Sequence, residues 1–254
     1  MGGMRARLLL HLILLATALP LAAARPSAGV VAPTRVAIVF EHAGPSLADL
    51  DPIYAMHQPF GLGIFPRMRY SAQIVRDAVA HGLVPILHLP MESRNPADMG
   101  PVPGAVWVKM TDADIARVVE DDLASTPGVV GVSNHAGSRA TADRRVMAAA
   151  LRPVKANGLW FEENRTTQTS VATEVAAGLG MRTVLITTYL DDPPVDIEAK
   201  VRALIAAARR QGTALAAAHI TTGTPRIVQR LLPDFRRAGI VFVPITDFLE
   251  GRKP

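Results

Sequence analysis

Four histidines and one glutamate share a position in the sequence, because each follows a short apolar run directly or within a few residues. They are Glu41, His42, His88, His135 and His219. In parallel α/β folds the carboxyl ends of the strands form one edge, where binding and catalytic side chains gather. We therefore predict that these side chains meet at a single rim.

The residue types at this rim are suited to metal-assisted hydrolysis. Imidazole nitrogens and carboxylate oxygens bind Zn²⁺, and catalytic zinc sites keep one position open for water. A nearby carboxylate can accept the proton of that water, and a histidine outside the metal sphere can protonate the leaving group. A single histidine in such a place is more typical of a hydrogen-bonded structural residue, but four favour a site. His57 and His81 lie at or after predicted helix ends, where histidine is ordinary, and we exclude them.

The elements that must position these residues are short strands alternating with helices. Predicted strands cover residues 36–40, 60–65, 84–87, 129–132, 159–161, 183–186, 214–218 and 240–243. Predicted helices cover residues 71–80, 112–125, 144–157, 171–179, 197–210 and 225–237. Glycines such as Gly212 stand between a helix and the next strand, which is typical of parallel strands with crossover helices. The predicted fold is α/β, a distorted or incomplete (β/α) barrel of seven to eight parallel strands, with an open doubly wound sheet as the alternative.

The N-terminal residues 1–24 have the pattern of a cleavable signal peptide. Arg5 and Arg7 precede the apolar residues 8–19, and small residues end the segment at Ala24. The apolar run is shorter than the ~20 residues of a membrane-spanning helix, and we predict no membrane span after signal cleavage. We therefore predict an exported protein of the periplasm or cell envelope, with a linker at 25–34 and one domain at 35–254.

Composition excludes several classes of function. The chain has no cysteine, so it forms no disulfide and has no thiolate chemistry. Its formal net charge is +5, but the lysines and arginines do not form a run, which argues against nucleic acid as a partner. One Pro/Gly-rich loop stands out between His88 and Thr111, and loops of this length are often functional.

Several motifs together resemble the divergent polysaccharide deacetylase family, and in particular its YibQ-like group. They are VAIVFEHAGPSLADLDPI, LHLPME, GVSNHAGSRATAD, FEENRTT, YLDD and the late AAH. The likeness covers about residues 35–248. It implies a barrel distorted from the eight-stranded form. It also implies metal-dependent removal of N- or O-acetyl groups from a cell-envelope glycan.

The resemblance also implies roles for individual residues. Glu41-His42 stands where the family has a pair of aspartates, the first a base and the second a metal ligand. With His42 as ligand, His88 and His135 complete a three-histidine set that suits zinc. Later in the chain, Glu163 falls on a family aspartate.

Two further positions match the family, and both are given functional roles. Arg165 corresponds to a family arginine and could orient Glu41 or Glu163 through a paired hydrogen bond. His219 corresponds to the late family histidine and would assist the leaving group. The residues proposed for catalysis are therefore Glu41, His219, Glu163 and Arg165.

The departures from the family pattern leave other functions open. Glu41-His42 replaces the aspartate pair, and Asn164 replaces a serine, which would also fit a barrel that has lost catalysis and binds a glycan or a protein. A third alternative is a structural partner of an envelope protein, with the loop at 93–106 as its contact. The sequence gives neither the acyl group nor the oligomeric state.

Overall fold

A computed structural model describes residues 33–192 and 196–251 of the chain. The predicted signal peptide and residues 25–32 of the predicted linker lie outside the described residues. The strands are β1 (Thr34–Ala43), β2 (Gly61–Ile64), β3 (Val84–Met91), β4 (Gly131–Ala136), β5 (Trp160–Glu163), β6 (Thr183–Leu185), β7 (Thr213–His219) and β8 (Ile240–Phe242). The helices are α1 (Asp51–Ala55), α2 (Ser71–Ala80), α3 (Asp112–Ser125), α4 (Arg144–Ala156), α5 (Ala172–Gly178), α6 (Ile197–Gln211) and α7 (Thr224–Arg237).

The eight strands form one parallel sheet, in which β1 pairs with three other strands. Seven of them follow the order β6-β5-β4-β3-β2-β1-β7, and β8 pairs with β1. β7 pairs with residues 35–41 of β1, so it takes nearly the whole of one edge. β8 pairs with residues 34–36 and β2 begins its pairing at Val39, so these two strands share the other edge.

The sheet curls until its two end strands approach each other at the carboxyl rim. The segment that follows β6 is hydrogen bonded to β7, since Ala217 donates to the carbonyl of Thr188 and Leu190 donates to the carbonyl of Ala217. Tyr189 forms the bridge between these two bonds. The result is an incomplete barrel whose closure lies beside the strand ends.

The two faces of the sheet have different cores. The helices cover the outer face, where the largest cluster contains the fully buried rings of Phe40, Phe60, Phe161 and Phe235. The inner face holds a smaller cluster that includes Val39, Ile86, Trp160, Val184 and Ala217. Further along the same strands toward the carboxyl rim, alternate positions carry polar groups such as Glu41 and His88, and a polar pocket begins there.

Glycines on the inner face make room for larger neighbours. A Cβ built on Gly131 would lie 2.4 Å from the ring of Trp160, and one on Gly61 would lie 2.8 Å from Val39. A Cβ built on Gly63 would lie 3.3 Å from the Cγ of Glu41. The narrow interior of the barrel is therefore filled by a few large side chains, and glycines stand opposite them because a side chain there would clash.

The predicted (β/α) barrel is confirmed, and the open doubly wound sheet is excluded by the curled strand order. All six predicted helices agree with the structure within one residue at each end, and Thr111 caps α3 through its side chain as expected of its position. Among the described residues, no helix is both long and apolar enough to cross a bilayer. The sequence missed α1, a five-residue helix.

The strands extend further than the apolar runs indicated, and this corrects the prediction in detail. β1 continues through Glu41 and His42, and β3 continues to Met91. His135 and His219 likewise belong to β4 and β7. The polar residues are thus held by sheet hydrogen bonds instead of by loops after the strands.

The contact between Gly131 and Trp160 gives a stability prediction. We expect Gly131→Ala to lower the free energy of unfolding by about 1–3 kcal/mol, because overpacking forces neighbouring groups to move. The matched control is Gly178→Ala at the end of α5, where a Cβ meets nothing within 4 Å. This control should be neutral or stabilising by up to ~1 kcal/mol. Urea denaturation measures both variants, and an unchanged Gly131→Ala protein would contradict the interior packing described here.

Candidate metal centre

An irregularity at the end of β1 brings two consecutive side chains to the same site. In a regular strand successive side chains point to opposite faces. The register of β1 against β2 shifts between Phe40 and Ala43, and His42 has a φ of 76°. Bulges of this kind re-aim a side chain next to functional sites. As a result both Glu41 and His42 reach the carboxyl rim of the barrel.

His42, His88 and His135 form a compact cluster at this rim. The ring centroids of His42 lie 5.5 Å from His88 and 4.9 Å from His135, and the last two are 5.0 Å apart. One nitrogen from each residue lies within 4.8 Å of those of the other two. Side chains distant in the sequence are therefore assembled around a common point.

The second nitrogens of two of these rings are held by neighbouring groups. Nδ1 of His88 lies 2.8 Å from the hydroxyl of Ser133, and Nε2 of His135 lies 3.0 Å from the carbonyl oxygen of Met99. The carbonyl of Met99 only accepts, so Nε2 of His135 carries its proton and Nδ1 keeps its lone pair. Metal-binding histidines are typically oriented in this way.

One buried nitrogen of the cluster indicates whether these residues suit a metal ion. Nε2 of His88 is buried and makes no hydrogen bond within residues 33–192 and 196–251. The closest charged group is Glu41, whose Oε2 lies 3.8 Å from it. A divalent cation at the centre of the three histidines would satisfy this nitrogen, so the residues present fit a metal such as zinc.

The surroundings keep the three imidazoles neutral. Burial lowers the pKa of His42 to about 3, with His219 and His135 adding to the effect. Burial also lowers the pKa of His88 well below its ordinary value, and it lowers the pKa of His135. Metal binding requires the unprotonated ring, so no proton competes for these nitrogens near neutral pH.

Glu41 lies beside the cluster and is held at both carboxylate oxygens. Asn164 donates to Oε1 over 2.6 Å, and the hydroxyl of Tyr189 donates to Oε2 over 3.4 Å. Burial raises the pKa of Glu41 to about 7, although the charge of His219 and these bonds act in the opposite direction. A carboxyl group with this pKa can take up and release a proton near neutrality. Glu41, His42 and His219 also form a second group whose ligand atoms lie within 4.8 Å.

Asn164 is a site residue for which no role was expected from the sequence. Its backbone N–H donates to Oδ1 of Asn134 over 2.9 Å, and its side chain donates to the carbonyl of Asn134 over 3.1 Å. These bonds fix the amide that contacts Glu41. The asparagine that replaces the family's serine thus positions Glu41. In the sequence, only its place directly after β5 indicated that it could belong to the site.

Asp191 holds His219, which lies beside Glu41 on the neighbouring strand. Its Oδ2 accepts the backbone N–H of His219 at 2.7 Å, and its Oδ1 lies 3.1 Å from Nδ1 of the ring. Thr222 and Thr224 also donate to Oδ2. Burial alone would lower the pKa of His219, but the bond to Asp191 and the charges of Glu41 and Asp191 outweigh it and raise the pKa. The sequence placed Asp191 after a strand without assigning it this role.

Glu163 and Arg165 are not brought into contact with Glu41. Oε2 of Glu163 accepts the backbone N–H of Thr173 over 3.1 Å, so this carboxylate caps the first turn of α5. Arg165 is exposed at the pocket rim with a φ of 32°, and within the described residues it makes no hydrogen bond to either glutamate. The expected pairing of Arg165 with a glutamate is wrong, because the strand alternates and directs Glu163 toward the helices.

A pocket of about 610 Å³ opens above the histidines. The Pro/Gly-rich loop forms one wall with Ser93 and Asp98, and it reaches the centre through the carbonyl of Met99. Thr166 and Gln168 line the side near β5. Hydroxyl, amide and carboxylate groups therefore dominate the walls, as expected of a site for a hydrophilic molecule.

Comparison with known proteins assigns the chain to a family. Residues 38–249 match the family described as divergent polysaccharide deacetylase. The chain belongs to this family. The resemblance noted in the sequence is thereby confirmed.

Three proteins illustrate the relationship. An uncharacterized protein of Haemophilus influenzae is 28% identical over 208 residues, which cover 80% of this chain and 74% of that protein. The uncharacterized protein YibQ of Escherichia coli is 25% identical over 202 residues, 78% of this chain and 62% of its own length. The crystal structure of the uncharacterized protein ATU2773 from Agrobacterium tumefaciens has a TM-score of 0.77 at 22% identity, covering 88% of this chain and 92% of that one, and shows a shared fold.

The geometry of the cluster predicts the effect of single substitutions on zinc affinity. We expect His88→Ala to weaken zinc binding by more than ~100-fold, and Ser133→Ala by roughly 10-fold through loss of the outer hydrogen bond. His57→Asn is the control, because His57 is exposed and asparagine tolerates its φ of 49°. Competition titration with a zinc chelator measures all three. Equal zinc affinity in the His88→Ala and His57→Asn variants would show that His88 is not a zinc ligand.

Proposed function

We propose that this protein is a metal-dependent hydrolase that removes N- or O-linked acetyl groups from a cell-envelope polysaccharide. The observation that carries the proposal is the cluster of three neutral imidazoles beside a buried carboxylate, at the floor of a polar pocket. The family supplies the reaction class, since deacetylation of polysaccharides is the activity in its description. The proposal includes export, because the signal-like residues 1–24 would bring the enzyme to envelope glycans.

The metal would be held by His42, His88 and His135, and we propose zinc because a three-histidine set suits it. When bound, it would supply Lewis-acid activation of water and of the acyl carbonyl group. The chain positions the ligands through the bulge of β1 and through the hydrogen bonds of His88 with Ser133 and of His135 with the carbonyl of Met99.

Glu41 is proposed as the general base that accepts the proton of the attacking water. Its carboxylate faces the cluster, and its pKa of about 7 allows it to hold that proton transiently. Asn164 and Tyr189 fix both oxygens, so the base has one orientation. Since proton transfer depends on position at the level of an ångström, this support matters as much as the pKa.

His219 is proposed as the general acid that protonates the leaving group. Nδ1 points to Asp191, which leaves Nε2 to face the pocket, and the raised pKa favours the protonated ring. The pair resembles other histidine–carboxylate arrangements in which the carboxylate fixes the tautomer and stabilises the imidazolium. Glu41 and His219 would then act on the same acyl group from neighbouring strands, the first taking a proton from water and the second giving one to the leaving group.

Substitution of the base tests the proposal. We expect Glu41→Gln to lower kcat for acetate release from an acetylated oligosaccharide by roughly 10²–10⁴-fold, because the amide cannot accept the proton. Zinc content should stay near one equivalent. Glu163→Gln is the matched control, since that side chain caps α5 outside the pocket and glutamine keeps an acceptor oxygen. Its kcat should stay within about threefold of the native value.

Acetate release coupled to zinc reconstitution is the decisive measurement for this function. Native protein that binds saccharide and zinc without releasing acetate at any pH would contradict the hydrolase. That outcome would favour the alternative, a barrel that acts as a glycan-binding module. Loss of activity in Glu41→Gln and Glu163→Gln alike would instead contradict the separate roles of the two carboxyl groups.

The bond between Asp191 and His219 predicts the alkaline limb of the pH profile. The acid must be protonated, so kcat/KM falls as pH rises through the pKa of His219, which Asp191 raises. We therefore expect Asp191→Asn to move this limb to lower pH. Asp192→Asn is the control, because Asp192 influences His219 by charge alone and its loss should shift the limb less. An unmoved limb in Asp191→Asn would contradict the role of His219 as the acid.

A further inference from the structure

A second cavity of about 410 Å³ adjoins the main pocket and contains an exposed aromatic ring. Its lining consists of Glu92, Trp107, Val108, Lys109 and Arg139. The side chain of Trp107 is 36% exposed, whereas the chain's other tryptophan, Trp160, is 4% exposed in the barrel interior. An indole ring has a large apolar face and one N–H donor, so in a concave site it offers a ligand both a stacking surface and a hydrogen bond.

The backbone that carries Trp107 is held in place on both sides. Val106 donates to the carbonyl of Pro90 and accepts from Glu92, which makes this segment a short parallel neighbour of β3. Val106 is fully buried, so the alternation of an extended chain turns Trp107 outward. The ring is therefore presented on a supported segment instead of at a loop tip.

Side chains add to this support. Oε2 of Glu92 accepts the backbone N–H of Val108 over 2.6 Å, and Arg145 donates to the carbonyls of Val108 and Met110. Arg139 pairs with the other oxygen of Glu92 over 3.0 Å. A preorganised surface of this kind binds with less loss of conformational entropy.

The two cavities are separated by a ridge made of the segments that follow β3 and β4, and it is one residue thick in each segment. Glu92 and Arg139 line the second cavity, while their chain neighbours Ser93 and Ser138 line the main pocket. Arg139 and Ala140 donate to the carbonyl of Glu92, which joins the two segments of the ridge. Consecutive Cα atoms are 3.8 Å apart, so a linear molecule of a few sugar units can lie in both cavities at once.

We propose that Trp107 forms a subsite for a distal sugar of the polysaccharide chain whose acetylated unit lies in the main pocket. The apolar C–H face of a pyranose would stack on the indole, and Lys109 and the Arg139–Glu92 pair would bind its hydroxyl or carboxylate groups. This inference rests on the proposed function, since it specifies the substrate as an oligosaccharide that spans the ridge. It makes the Pro/Gly-rich loop a determinant of substrate length.

The fluorescence of Trp107 tests the subsite without any hydrolysis. The probes are three tetrasaccharides and the monosaccharides that they contain. The first tetrasaccharide consists of β-linked N-acetylglucosamine, the second alternates N-acetylglucosamine with N-acetylmuramic acid, and the third consists of acetylated xylose. We expect one tetrasaccharide to protect Trp107 from acrylamide quenching in metal-free protein, and its monosaccharide to give no protection. Trp160 is buried and reports folding, so its residual emission in Trp107→Ala confirms that this variant is intact.

Kinetics of the Trp107 variants supply the second test. We expect Trp107→Ala to raise KM for the protective tetrasaccharide by roughly tenfold, the loss typical of one well-packed aromatic contact. Its kcat and its KM for the monosaccharide should stay unchanged, and Trp107→Phe should restore most of the affinity because it keeps an aromatic face.

The outcomes separate this inference from the proposed function. A tetrasaccharide that binds by calorimetry or is deacetylated, while Trp107 stays equally accessible to acrylamide, would overturn the subsite and leave the hydrolase intact. Protection of Trp107 without acetate release would support the subsite and contradict the hydrolase. Absence of binding by all the saccharides would overturn both.

Discussion

The site depends on two consecutive residues of β1 that face the same point. Regular alternation would send Glu41 and His42 to opposite faces of the sheet. The register shift between Phe40 and Ala43, with the left-handed backbone of His42, brings both into the pocket. Without it His42 would pack among the helices, and His88 and His135 would face a carboxylate alone. A left-handed conformation at a non-glycine residue costs on the order of 1 kcal/mol. Strained residues of this kind are common at functional sites.

The low polarity around the site determines which charges it can hold. Burial lowers the pKa values of the three clustered histidines and raises that of Glu41, so neutral ligands stand beside a carboxyl group that titrates near neutrality. Glu162 also faces this region, and burial followed by the charge of Glu41 raises its pKa well above the ordinary value. The interior therefore has a surplus of potential negative charge, which a bound cation would balance. Binding of a metal would thus be coupled to the protonation of these carboxyl groups.

Much of the fold could be predicted from the sequence because the outer face of the sheet follows simple rules. Apolar runs, helical spacing and glycines after helices placed all eight strands and six of the seven helices. The strand ends could not be predicted, because the inner face changes from apolar to polar within a strand while the backbone pairing continues. Glu41 and His88 therefore looked like loop residues although both lie in the sheet. The convergence of the histidines followed from topology alone.

The individual partners of the site were harder to predict. Asp191 and Asn164 depend on contacts between segments 28 and 123 residues apart, and no local pattern specifies them. Glu163 was misplaced because Glu162 and Glu163 differ only in which face of β5 they occupy, and a register change of one residue exchanges them. The Pro/Gly-rich loop that carries Trp107 stood out in the sequence, but the support of Trp107 by Val106 and Glu92 required coordinates.

The central claim is that three imidazoles from β1, β3 and β4 hold one cation. X-ray absorption spectroscopy at the zinc edge of the reconstituted protein tests it most directly. The account predicts three imidazole nitrogens per zinc at about 2.0–2.1 Å, and two in the His42→Ala variant. A spectrum explained by oxygen ligands alone, or one that His42→Ala leaves unchanged, would contradict it.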